Sequence, residues 1–220
     1  GYTYVADNSS GNALDRLRNA SKYSGPLPVN VAGPAQRSDS SCDARREVTP
    51  LTNNVSAIKR GIRNMYAEGW TNIANGAAWG FRLISPNAPF TQGRAYDAPN
   101  TTKAMVILTD GMQTMGGAAG SFNSGYSPFG FMGEPALQGK TRLSGKNVKQ
   151  ALDRKLAQVC EAAKAKDIVI YTITFELKDK STQDMMRACA TDSAKYFDAA
   201  SAAELSPVFK EIAGSLGELR

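Results

Sequence analysis

Ala104-Met105-Val106-Ile107-Leu108-Thr109-Asp110-Gly111 is the stretch on which the fold turns. An unbroken apolar run this short is too brief for a helix of ordinary length and suits a strand buried on both faces of a parallel sheet. The Asp-Gly pair closes it, since glycine lets the backbone turn where the strand ends. Further along, Ile168-Val169-Ile170-Tyr171-Thr172-Ile173-Thr174-Phe175 reads the same way. Between the two, Val148, Leu152, Leu156, Val159 and Ala163 recur at helical spacing. Strand, helix, strand in that order predicts a right-handed βαβ unit, and with it an open α/β sheet of the doubly wound kind.

The remaining segments extend this plan in both directions. Upstream, Val55, Ile58, Ile62, Met65 and Tyr66 mark a helix that Gly69 ends, and a second helix is expected from Ile73 to Ile84, stopped by Ser85-Pro86. Downstream, a short helix at Gln183 to Cys189 precedes a small strand at Lys195 to Asp198. A final amphipathic helix, Ala202 to Leu216, then points Leu205, Val208, Phe209, Ile212 and Leu216 inward. Residues 1–50 are rich in Gly, Pro, Ser, Asn and Arg and read as an irregular arm with one short helix near Leu14 to Leu17. Residues 51–220 form the folded part, interrupted by a long Gly- and Ser-rich loop at 112–146.

Composition narrows the function. The chain has 220 residues, 42% of them hydrophobic, which suits one domain with a real core. Its net charge of +6 comes from Lys and Arg scattered among acids, with no basic and aromatic interleaving, so nucleic acid is not expected as a partner. No stretch has the length and apolarity of a membrane span, and no signal-peptide pattern opens the chain, so any targeting or anchoring element is expected outside it. Histidine is absent, which removes the commonest general base and the commonest transition-metal ligand. Neither a phosphate loop nor a dinucleotide-binding glycine motif follows a strand. The three cysteines, Cys42, Cys160 and Cys189, have neither redox nor zinc spacing.

Ligands of open α/β sheets bind outside the carboxyl ends of the strands, where Asp110 stands. One reading makes Asp110 a cap that satisfies nearby amides. The other makes it part of a hard-cation site with a hydroxyl such as that of Thr71.

Gly69-Trp70-Thr71-Asn72-Ile73-Ala74-Asn75-Gly76, followed by Met105 to Gly111, resembles the second and third elements of the metal-ion-dependent adhesion site of von Willebrand factor A domains. The wider pattern resembles the TadG-like proteins (TadE/TadG family) of tight-adherence pilus assembly. It is carried by Trp79-Gly80-Phe81-Arg82-Leu83-Ile84-Ser85-Pro86, Ile170 to Phe175, Cys189-Ala190 and Lys195-Tyr196-Phe197-Asp198-Ala199, and spans about residues 42–220. The resemblance implies the C-terminal part of a von Willebrand factor A-like domain, a non-enzymatic binding or assembly module of the bacterial cell envelope, periplasmic or surface-exposed, with protein partners there.

One departure matters. The first metal motif, D-x-S-x-S after the first strand, is missing; Asp7-Asn8-Ser9-Ser10-Gly11 imitates it only superficially, with Gly11 at the second serine position. The chain is therefore expected to begin after that motif, lacking its first strand or strands, with an upstream fragment or second chain completing the sheet beside Met105 to Thr109. Thr71 and Asp110 alone should bind Mg2+ or Ca2+ only weakly, since hard cations take about six oxygens. Tyr126, Phe129, Phe131 and Met132 in the long loop stand near the ligand face as partner-contacting candidates, beside the alternative of a purely structural insertion. The oxidising compartment that the resemblance implies favours a Cys160 to Cys189 disulfide over two buried thiols, with Cys42 free or joined to an upstream cysteine. A receiver-like signalling domain and a metal-dependent hydrolase using Asp110 are the alternatives, and neither has its supporting residues in place.

Overall fold

The computed structural model describes residues 48–65, 70–114, 126–127, 130–131 and 145–218. The arm before residue 48, with Cys42 and the helix expected near Leu14, lies outside the described residues, as do Gly69, Phe129 and Met132.

Asn54 opens the first helix, α1 (Val55–Arg63), by accepting a hydrogen bond from the Ala57 amide at 3.0 Å. The helix stops earlier than the apolar spacing predicts, and Val55, Ile58 and Ile62 on it, with Met65 just beyond, are exposed among the described residues. Asn72 caps α2 (Ile73–Ile84) in the same way through the Asn75 amide, and the chain leaves it at Ser85, in extended conformation before Pro86. Then follow β1 (Ala104–Thr109), a two-stranded antiparallel ladder of β2 (Tyr126–Ser127) and β3 (Gly130–Phe131), α3 (Gly145–Lys164), β4 (Val169–Phe175), α4 (Lys180–Cys189), β5 (Tyr196–Ala199) and α5 (Ala202–Glu218).

β1, β4 and β5 form a parallel sheet in the order β1-β4-β5, with Leu108 opposite Ile173 and Thr174 opposite Asp198. This is the α/β architecture expected, a parallel sheet flanked by helices. On one face, Met105, Ile107 and Ile170 pack against Ile73, Ala74 and Ala77 of α2, Leu156 and Cys160 of α3, and Met186 of α4. On the other, Tyr171, Ile173 and Ala199 pack against Leu205, Val208, Ile212 and Leu216 of α5. Each large side chain fully withdrawn from water here contributes roughly 1.5–3 kcal/mol.

Two further sequence expectations need correction. β1 is not buried on both faces: Val106 and Leu108 keep 40% and 44% of their surface exposed, beside the fully buried Tyr171 and Ile173. α5 packs over β4 and β5 on that face; of β1, the edge of the described sheet, only Ala104 joins the partly buried residues of this cluster. Phe209 does not point inward either. It is 47% exposed, because Leu205, Val208, Ile212 and Leu216 already supply the stripe that meets the sheet.

Cys160 and Cys189 are joined by a disulfide across the ends of α3 and α4, with Cα atoms 5.3 Å apart. Both lie in the core, so the bridge ties two helices together on the face shared with α2.

Candidate functional site

β1 delivers Asp110 to the carboxyl-end rim, and the turn that follows is built without it. Thr109, buried at the end of the strand, donates its hydroxyl to the Gly111 carbonyl at 2.8 Å and accepts from the Gly111 amide at 3.3 Å. Among the described residues no hydrogen bond or ion pair reaches the exposed Asp110 carboxylate. The capping role that the sequence left open for Asp110 is thus filled at this turn by Thr109.

Thr71 arrives from the other side, one residue before the Asn72 cap of α2. Its carbonyl accepts from the Thr114 amide at 2.8 Å and its amide donates to the Thr114 hydroxyl at 3.2 Å. These reciprocal bonds lay the Thr71 segment along the segment after Asp110. The Thr71 hydroxyl rests over Gly111, where a Cβ would come within 3.1 Å of it. Any side chain at residue 111 would press on the hydroxyl beside Asp110, which is a physical reason for glycine there. Thr71 and Asp110 also share the lining of a groove of about 470 Å³ that runs along β1 past Gly76, Gly80, Val106 and Leu108.

The donor set can be tested against a hard cation. A carboxylate unpaired among the described residues and a hydroxyl over the adjacent residue are oxygen ligands of the chemistry that one side of such a site takes. Two oxygens do not fill it. Among the described residues no group of three or more His, Cys, Asp or Glu side chains could hold a metal ion.

Gln113, which carries no periodic or motif signal and is not a sequence candidate, is buried beneath this turn, 1% exposed. Its carbonyl oxygen accepts from the Ala74 amide in the first turn of α2 at 3.0 Å, and its nitrogen donates to Asp153 Oδ1 on α3 at 2.9 Å. Asp153 Oδ2 takes Lys149 Nζ at 2.8 Å, and Lys149 also reaches Ser181 Oγ at 2.8 Å and Asp179 at 3.6 Å. Lys149 thus bridges the carboxylates of α3 and of the turn before α4 and the Ser181 hydroxyl. Asp179 caps α4: its carboxylate accepts the Thr182 hydroxyl at 2.6 Å and the Thr182 amide at 2.8 Å. The Thr182 hydroxyl foremost, then the Thr182 amide and the Lys149 charge, hold that carboxyl below the usual carboxylate range, against the opposing effect of burial.

Of the loop candidates, Tyr126 and Phe131 are paired in register across the β2 and β3 ladder. Phe129 and Met132 lie outside the described residues. No described helix is long and apolar enough to cross a membrane.

No protein-family model matches the chain. No curated protein matches it. Two solved structures align with 74% of it. The pilus adhesin SpaC from Lactobacillus rhamnosus GG is 16% identical with a TM-score of 0.46. The vWF domain of the type V pili tip protein Mfa5 from Porphyromonas gingivalis is 13% identical with a TM-score of 0.48, and 72% of that domain is covered. The chain spans 21% of the length of the Lactobacillus adhesin.

Proposed function

We propose that the chain is the C-terminal part of a von Willebrand factor A-like module of a TadG-like protein, acting in Tad-type pilus biogenesis or adhesion in the bacterial cell envelope. In this reading it binds and assembles; it does not catalyse. The carboxyl-end rim is the recognition face. Thr71 and Asp110 would hold a Mg2+ or Ca2+ ion on one side, and an acidic group of the protein partner would complete the coordination on the other. When bound, the ion supplies positive charge at the rim, and the chain's residues orient the two oxygens that meet it.

The reading is supported by the Thr71 hydroxyl lying over Gly111, the residue after Asp110, by the groove that Thr71 and Asp110 both line, and by the Asp110 carboxylate being unpaired among the described residues. The sequence resemblance around Thr71 and Asp110 supports it. So does the edge position of β1 in the described sheet, where a strand from an upstream fragment or a second chain would pair with Ala104–Thr109 and cover Val106 and Leu108. The apolar stripe of α1, exposed among the described residues, fits the same completion.

The test is partner binding by the full-length protein, measured with Mg2+ and with a chelator. Asp110→Ala should abolish the cation-dependent part and leave the chelator-insensitive part intact. Binding that keeps its cation dependence in that variant rejects the mechanism.

A further inference from the structure

We infer that Gln113 is the positioning residue of the rim site: its side-chain amide sets the separation between the Thr71 segment and Asp110 and links that separation to α3 and α4. This rests on the rim site proposed above. Three observations carry it. Gln113 follows Asp110 by three residues and is almost fully buried, so its side chain moves only if the turn moves. Its two polar ends bind two different elements, α2 at the Ala74 amide and α3 at Asp153, and its nitrogen also lies 3.8 Å from the Met185 sulfur of α4. The residue after it makes the paired bonds to Thr71. The positions of Thr71 and Asp110 are therefore referred to a common clasp, and Lys149 extends the clasp through Asp153 to Ser181 on α4.

The chemistry requires an amide at this place. One end must accept from a backbone N–H and the other must donate to a carboxylate, and glutamine has one of each. Glutamate would set a second carboxylate against Asp153. Alanine would leave the Ala74 amide and Asp153 without this partner inside the protein. Exchanging the roles restores the pattern. With Gln113→Glu and Asp153→Asn together, the amide nitrogen introduced on α3 donates to the carboxylate introduced after the Gly111 turn, and the amide oxygen on α3 remains for Lys149.

The experiment is amide hydrogen exchange on the 220-residue chain, read residue by residue by NMR, without metal. Gln113→Ala and Gln113→Glu should speed exchange of the Thr71 and Thr114 amides by about tenfold or more, while the Ile173 amide in β4 keeps its rate. The Gln113→Glu/Asp153→Asn pair should return both amides to within about threefold of the starting protein. Wild-type rates at Thr71 and Thr114 in both single variants overturn the proposal. So does an equal acceleration at Ile173, which marks loss of global stability only. If Gln113→Ala does not fold, the glutamate variant and the charge-exchanged pair decide the matter. A parallel Mn2+ titration, read by paramagnetic broadening, separates this inference from the cation reading. Weakening of Mn2+ binding by Gln113→Ala supports positioning, and unchanged binding despite faster exchange contradicts it. Absence of Mn2+ binding at Thr71 and Asp110 in the starting protein sinks the cation reading alone, while the exchange rates still decide what Gln113 sets.

Discussion

Leu108 and Ile173 sit side by side in register on one face of the sheet, yet truncating them should have very different consequences. Ile173 is fully buried under α5, so Ile173→Ala loses both the transfer energy of its removed carbons and the packing around the cavity left behind, roughly 2–5 kcal/mol. Leu108 is 44% exposed, so only part of its burial energy is at stake. Leu108→Ala should therefore cost about 1 kcal/mol or less in this chain. In a form extended upstream, where a strand pairs with β1, the same substitution should rise to about 2–3 kcal/mol while Ile173→Ala stays where it was. Urea denaturation of the two variants in both forms measures this through the midpoints at constant slope. A Leu108→Ala cost equal to that of Ile173→Ala in the present chain, or one that does not rise in the extended form, refutes the reasoning about the open edge.

The disulfide closes a 29-residue separation, so reduction, or Cys160→Ser with Cys189→Ser, should lower stability by about 3–4 kcal/mol on chain-entropy grounds. An unchanged urea midpoint under reductant would show that the bridge constrains nothing. Gly93→Ala should destabilise by about 1–3 kcal/mol, because a Cβ there would run into the Ser85 carbonyl and come within 2.6 Å of that of Ile84; a midpoint within error of the parent contradicts this. Asp179 supplies a pH dependence of definite sign. Its folded pKa is depressed, so its contribution is present above the unfolded carboxylate range and is lost as pH falls through the lower folded value. Asp179→Asn should flatten the acid limb of stability against pH, and an acid limb of unchanged steepness counts against the cap. Asp179→Ala should weaken α4 by about 1 kcal/mol at neutral pH, as thermal unfolding would report.

The parallel strands and their crossover helix were legible because Met105 to Thr109 and Ile168 to Phe175 are continuous apolar runs and Val148 to Ala163 keeps helical period. Ile73 to Ile84 is legible to the residue, with Ser85-Pro86 marking its end, and the structure adds the Asn72 cap at its start. The exposure of Val106 and Leu108 was not, because an apolar run records what a strand is suited to pair with and not which neighbours are present. Phe209 misled for a related reason: at helical spacing it lies beside the inward stripe, and only the width of the sheet under α5 decides which residues are covered. In the site, Asp110 and Thr71 could be named from the strand end and the turn before α2. Gln113 could not, because its importance comes from Ala74 and Asp153, 39 and 40 residues away in the chain.

Mn2+ titration of the chain, followed by broadening of backbone amides, tests the central claim most directly. The account predicts that Thr71, Asp110 and Gly111 broaden first, at weak affinity, and that Asp110→Ala removes the effect. Broadening centred on the carboxylates of α4 or α5, with the Gly111 turn untouched, would contradict it.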